Sequence, residues 1–337
     1  MIKYLGSKRL LLPAIVEIIR GLPDVRTVVD LFSGTSRVGH ALKGQGYRVR
    51  ANDHNRYAAT LARCYVQADQ DRLGADVVRL VHELNTLPGS PGWFTDTYCV
   101  RSRFFQPHNG ARVDAIRDAI AAKGLEPELE AVLLVALMEA ADRVDSTVGV
   151  QMAYLKQWAP RAHNPLILRV PDVLPQAPAG KGEAHELEAE TAAATLHGDL
   201  AYLDPPYNQH KYLGNYHIWE SLVRWDRPEV YGIAQKRVDV RTRPSPFNQK
   251  RGIAPALEAV IRAVRAPHLL VSFSDEGYLD RATLEGMLRT RGRVQVFEHD
   301  FRRYVGAKIG IYNPAGEKVG KISHTRNTEL LFLVTPE

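Results

Sequence analysis

The segment "LDPPYN", Leu203 to Asn208, sets a carboxylate, two prolines and an aromatic ring directly after a short apolar run. Two successive prolines forbid further ladder pairing and hold the backbone extended, so this segment reads as an edge that positions something. The chemistry it suits is the activation of a weak amine. The exocyclic amine of a nucleobase is a poor nucleophile because its lone pair is delocalised into the ring. Acceptors that grip its hydrogens weaken that delocalisation and aim the lone pair at an electrophile. Asp204 and the carbonyl of Pro205 supply two acceptors, while Pro206, having no N–H, keeps a competing donor away. Tyr207 can stack on the base.

A second cluster lies far upstream. "DLFSGTSRVG" follows the β-branched run "TVV" and puts Asp30, Ser33, Gly34 and Thr35 where a parallel strand turns into a helix, the edge at which open α/β sheets bind ligands. The glycine spacing is not GxGxxG and no phosphate-gripping lysine follows, so a smaller nucleoside cofactor fits better than a dinucleotide or ATP. Asp53 ends the next strand, roughly 20 residues on, where an acid can bind ribose hydroxyls. The alternative is that Asp30 and Asp53 simply cap helices. Near the start, "KYLGSK" groups Lys3, Tyr4 and Lys8 around Gly6 ahead of a helix, a setting for a carboxylate, although solvent-exposed lysines would look the same.

These residues need a scaffold. "TVVDLF" and "YRVRAND" read as strands, each followed by a helical stretch, which predicts a parallel, doubly wound sheet. From about residue 70 to 160 the pattern turns helical, and "RVPDVLPQAPAGKGEA" (169–184) reads as a return linker. The strand and helix alternation then resumes with "LAYLD", "IWESLVRW", "HLLVSFS", "LDRATLEGML" and "VQVFEHDF". A last strand, "TELLFLV", is expected to close an antiparallel hairpin. The organisation expected is thus 1–68 with 183–337 as one α/β domain and 69–182 as a helical insert.

Composition bounds the rest. The 337 residues carry a formal charge of +6, which suits a polyanionic partner without requiring one. Cys64 and Cys99 are the only cysteines and neither sits in a CxxC or His-rich setting, so no disulfide framework or metal site is expected and a reducing cytoplasm is the natural home. The apolar start is interrupted by Pro13 and Glu17 and reads as an amphipathic helix, not a leader. No apolar run reaches the roughly 20 residues of a membrane span.

Taken in order, "KYLGSK", "DLFSGT", "ND" at 52–53 and "DPPYNQHKY" make the chain resemble the Dam-like (alpha-group) DNA adenine-N6 methyltransferases along nearly its whole length. The resemblance implies a Rossmann-like S-adenosylmethionine-dependent methyltransferase sheet with an inserted helical target-recognition subdomain. It implies S-adenosylmethionine as cofactor, with Lys3, Tyr4, Gly6 and Lys8 around its methionine part, Asp30, Phe32, Ser33, Gly34 and Thr35 beneath it, and Asp53 on its ribose. Glu183 in "GEAHEL" is the match for the acid that holds the adenine. The catalytic tetrad is Asp204, Pro205, Pro206 and Tyr207, acting on an adenine flipped out of duplex DNA. By the same resemblance Asp at 204 favours adenine over the cytosine amine, and neither cysteine follows a proline, against cytosine-C5 chemistry. The enzyme is expected to serve restriction-modification beside a cognate endonuclease, or to stand alone. Methylation of RNA adenine and a non-catalytic DNA-binding subunit are the alternatives.

The loop "QKRVDVRTRPSPFNQKRG" (235–252) is the expected DNA contact. Lys236, Arg237, Arg241, Arg243, Lys250 and Arg251 are its phosphate-binding candidates, and Phe247 and Asn248 its candidates for closing over the displaced base. Arg302 and Arg303 are candidates for a second backbone contact, and base readout by the insert would need side chains such as Arg101, Arg103, Asn109, Lys156 or Gln157 to reach groove edges. His108, His163, His210 and His217 have no metal-ligand spacing and are expected at the surface or in hydrogen bonds.

Overall fold

The computed structural model describes residues 1–302 and 326–337. In chain order the strands are β1 (Thr27–Asp30), β2 (Arg48–Asn52), β3 (Glu183–His185), β4 (Leu200–Leu203), β5 (Val230–Tyr231), β6 (Lys236–Arg237), β7 (His268–Ser274), β8 (Arg293–Arg302) and β9 (Arg326–Thr335). Seven of them form one sheet in the order β3-β2-β1-β4-β7-β9-β8, while β5 and β6 make a separate antiparallel ribbon. β3, β2, β1, β4 and β7 run parallel, and β9 lies antiparallel between β7 and β8. The expected antiparallel pairing of the last strands is therefore present, and their connection lies outside the described residues. β3, which lacks an apolar run, was not legible, because it pairs only as a short edge against Arg50, Ala51 and Asn52.

The central strands follow from their residues. All four positions of β4 are buried, as a parallel strand covered on both faces requires. Val28 and Val29 of β1 and Leu269, Leu270 and Val271 of β7 are buried beside it. The chain leaves β1 toward β2 and β3, but leaves β4 toward β7, so the order reverses between β1 and β4. The carboxyl ends of these two strands open a crevice there, and Asp30 lies opposite Tyr202 in register just before it. The amino-terminal helix, Leu12–Arg20, starts with Pro13 in its first turn and buries Ile15 and Ile19 against the sheet.

Between β2 and β3 the chain forms long helices at Gln70–Thr86, Pro107–Ala122 and Pro127–Val144. The last is apolar on nearly every face and is buried accordingly. Helix does not continue to residue 160. After Val144 the carboxylate of Asp145 accepts from Thr147 Oγ1 at 2.6 Å and from Arg161 Nη2 at 2.7 Å, drawing the chain into loops in which only Pro160–His163 makes a short 3-10 turn. These helices share one apolar cluster with Tyr57 and Leu61 of the helix Arg56–Ala62 and with Ile218, Trp219 and Leu222 of the helix His217–Arg224. Among the described residues no helix is long and apolar enough to cross a membrane, and no group of metal-ligating side chains is present.

Candidate active site

The crevice between the ends of β1 and β4 is a cleft lined by Tyr4, Gly6, Lys8, Asp30, Phe32, Ser33, Gly34, Thr35, Asp53, Asp204 and Pro206, which brings most of the expected site residues to one place. The turn after β1 is held by glycine. Gly34 has φ +51, and a methyl group on it would meet the Tyr4 ring at 3.3 Å. Its N–H donates to Asp53 Oδ2 at 3.0 Å, and Asp53 Oδ1 accepts from the Asn55 N–H at 2.9 Å. Burial raises the Asp53 carboxyl above its ordinary range, while His54 and these hydrogen bonds oppose the rise. Asp30 is 1% exposed, and burial, with the Asp204 and Asp53 carboxylates adding to it, lifts its carboxyl to about 8. The Ser33 hydroxyl, buried in the same wall, has no hydrogen-bond partner among the described residues.

At the other wall Lys8 is bound between two acids. Its Nζ lies 3.1 Å from Asp204 Oδ1 and 3.1 Å from Glu329 Oε2, and its side chain is 7% exposed. Burial disfavours the ammonium, but Asp204 and Glu329 outweigh it and hold Lys8 well above the usual lysine range. Burial also lifts the Asp204 carboxyl to about 6, against the pull of Lys8 and with a push from Glu329. Asp204 is thus a carboxylate near neutral pH with an unusually high proton affinity. Pro205 is buried behind it.

Several expected residues are placed elsewhere. Lys3 turns away from the cleft, where its Nζ donates to the Asp142 carbonyl at 2.6 Å and to Asp145 Oδ1 at 2.7 Å. Glu183 sits at the first position of β3, the end of the strand remote from the crevice, and is held by Arg48 and, at 3.1 Å, by Arg50. The acids that line the cleft near Asp53 are Glu188 and Glu190, at the start of the helix Ala189–Thr195. Tyr207 does not line the cleft; its ring lies 5.4 Å from Phe273 and 5.8 Å from Lys8 Nζ. Aromatic surface in the cleft comes from Tyr4, Phe32, Tyr202, Tyr212 and Phe247, with Tyr4 stacked on Tyr212 at 5.3 Å and on Tyr216 at 4.6 Å.

The basic loop divides in the same way. Arg237 is 3% exposed and makes paired hydrogen bonds to Asp226 at 2.7 and 2.8 Å, so it cannot reach a phosphate. Arg243 lines the cleft and donates to the His54 carbonyl at 3.1 Å. Phe247 is buried edge-to-face on Phe32 at 5.2 Å as part of the cleft wall, not a cap on a displaced base. Asn248 donates to the carbonyls of Asn208 and His210, tying the loop to the chain after the prolines. Lys236 is half-buried, whereas Arg241, over the Tyr231 ring at 3.6 Å, and Lys250 and Arg251 are exposed. Arg303 lies outside the described residues, and for Arg302 only its place at the end of β8 is described. In the insert, Asn109 is buried and its amide holds the carbonyls of Ala162 and Asn164, so it reads no base. His217 is fully buried against the Gln151 carbonyl, its imidazole pushed down to about 3 by burial.

Glu329 was missed in the sequence, although a carboxylate heading the apolar run "LLFLV" is the signal that could have found it. The fold and this site define an open α/β sheet whose switch-point crevice carries a nucleoside-type turn on one side and a carboxylate–proline edge on the other. Residues 4–256 match the D12 class N6 adenine-specific DNA methyltransferase family, and the chain belongs to that family. It is 31% identical to the type II methyltransferase M.FokI of Planomicrobium okeanokoites over 90% of this chain and 49% of that protein. It is 29% identical to the type II methyltransferase M.NlaIII of Neisseria lactamica over 83% of this chain and 84% of that one. The modification methylase LlaI of Lactococcus lactis subsp. lactis is 26% identical over 90% of this chain and 51% of its own length. The chain thus spans about half the length of M.FokI and LlaI and most of M.NlaIII.

Proposed function

We propose that the chain methylates the exocyclic N6 amine of adenine in duplex DNA at specific sites, with S-adenosylmethionine as donor, as part of restriction-modification in the cytoplasm. The observation that carries this reading is the meeting of Asp30, Gly34 and Asp53 with Asp204 in one cleft. The residues present suit the cofactor. Gly34 makes a left-handed turn that a side chain would strain, Ser33 Oγ offers an unused polar atom, and the buried Asp30 carboxyl, protonated near neutral pH, can ionise to face a cationic centre. Asp53 would hold the ribose and Glu188, in place of Glu183, the adenine.

When bound, the cofactor supplies an electrophilic methyl group on a sulfonium. Asp204 accepts a hydrogen bond from the amine and draws its lone pair out of the ring, and its raised proton affinity suits it to take the proton the amine must shed. The cleft walls align the reactants and exclude water, the larger share of catalysis for a displacement without an enzyme-bound intermediate. Arg241, Lys250 and Arg251 form the phosphate contact, and the insert of residues 69–182 reads the target. The names of the relatives, type II methyltransferases and a modification methylase, support a restriction-linked role and a cognate endonuclease as partner. Transfer of labelled methyl to N6 of adenine in duplex DNA, absent with RNA transcripts and lost in Asp204→Ala, tests the reading; transfer to RNA alone would replace it with the RNA alternative.

A further inference from the structure

We infer that Glu329 is a positioning residue for methyl transfer: by sharing Lys8 with Asp204, it stops the lysine from closing fully on the carboxylate that must stay open to the amine. The inference rests on the proposed role of Asp204. The geometry is built from rigid parts. Glu329 is fixed opposite Ser274 in the β7–β9 ladder, and β7 in turn pairs with β4, whose end leads into Asp204. Lys8 Nζ stands 3.1 Å from an oxygen of each acid, and the three side chains are 7%, 20% and 8% exposed for Lys8, Asp204 and Glu329.

An ammonium has three donors and no preferred fork, so it can serve two carboxylates at once. Two anions around one cation leave the cluster one negative charge in excess. With Glu329 in place, Lys8 neutralises Asp204 only partly; without it, Lys8 would pair with Asp204 alone, and the oxygen would become a poorer acceptor and a weaker base. The other groups that bear on this cluster are Asp30 on β1, Tyr202 on β4, Tyr207, Tyr212 and Glu276, with His299 opposite Glu329 in register on β8. Among the described residues, none of these supplies a second lysine or arginine. Lys8 is therefore the lever, and Glu329 sets how far it is pulled.

Glu329→Gln removes an anion beside Asp204 and leaves Lys8 to pair with it alone, and both changes favour the ionised carboxylate. The acid limb of single-turnover methyl transfer should move down by about half a pH unit or more, and the plateau rate should fall several-fold at unchanged cofactor affinity. Glu329→Asp, which keeps the charge, should return the limb toward the wild-type position. A role in folding alone would lower the melting temperature without moving the limb, so an unmoved limb in a folded E329Q protein overturns the inference. Should E329Q not fold, Lys8→Met gives the opposite reading: loss of the cation must move the limb up, and an unmoved limb there overturns it too. If the wild-type protein transfers no methyl to DNA, it is the proposed function that fails instead.

Discussion

The carboxylate of Asp53, just past the end of β2, accepts the backbone N–H of Gly34 in the turn after β1, 3.0 Å away. One hydrogen bond therefore joins the acid proposed to hold the ribose to the turn that must admit the cofactor, so a disturbance of either is felt by both.

Gly34→Ala should show this. The left-handed backbone costs a non-glycine residue roughly 1–2 kcal/mol, and the added methyl would press on the Tyr4 ring. The expected result is a melting temperature lower by a few degrees, together with cofactor binding weakened about tenfold or more in calorimetry. Unchanged binding would remove the turn from the cofactor site.

Asp204→Asn should abolish methyl transfer and spare cofactor binding. In the wild type, transfer should rise as pH passes through about 6 and Asp204 ionises. Stability runs the other way, because this carboxyl holds its proton more tightly folded than unfolded. Its contribution is complete below the ordinary aspartate range and is lost as pH rises through about 6, and D204N should flatten that part of the curve in urea titrations.

Asp30 extends the same sign to higher pH. With its carboxyl at about 8, the folded chain carries one proton more than the unfolded chain above the ordinary aspartate range, so stability should fall with rising pH by up to ~1.4 kcal/mol per unit until about 8. A cation in the cleft favours the ionised form. S-adenosylmethionine should therefore bind more tightly as pH rises toward 8, whereas its neutral thioether product should gain less. Equal pH dependence for the two would place the sulfonium away from Asp30.

The two glutamates can be told apart. Glu188→Gln should weaken cofactor binding several-fold, and Glu183→Gln should leave it unchanged, since Glu183 is engaged by Arg48 and Arg50. The reverse outcome would restore Glu183 to the adenine.

The basic residues of the 235–252 loop should separate likewise. Neutralising Arg241, Lys250 and Arg251 should weaken DNA binding and reduce the salt slope by about 0.9 for each phosphate no longer neutralised. Arg237→Ala should instead destabilise the chain by ~2 kcal/mol or more, because it leaves Asp226 and Asp239 without their shared guanidinium.

The sheet and the two chemical edges were legible in the sequence because short apolar runs such as "TVV" and "LAYL" permit little else and lead to marked residues, Gly34 and Pro205. Charged side chains were far less legible. Arg237 and Arg241 stand four positions apart in one basic loop, yet the first is sealed by Asp226 and the second is open, a difference made by a carboxylate 11 residues upstream. Lys3 and Lys8 flank one glycine, but Asp142 and Asp145, more than a hundred residues away, claim the first. Spacing records which residues are close in the chain, and these fates depend on which acids the fold brings near.

The helices inserted between β2 and β3 share one core with Trp219 and Leu222, which follow the carboxylate–proline edge. A hybrid that borrows residues 69–182 from a relative would import a surface cut for a different helix and leave Trp219 ill-seated. On the target-reading role proposed for the insert, exchange of sequence preference should succeed only when the segment around 217–224 travels with the graft, because the two stretches pack as one unit despite the chain between them.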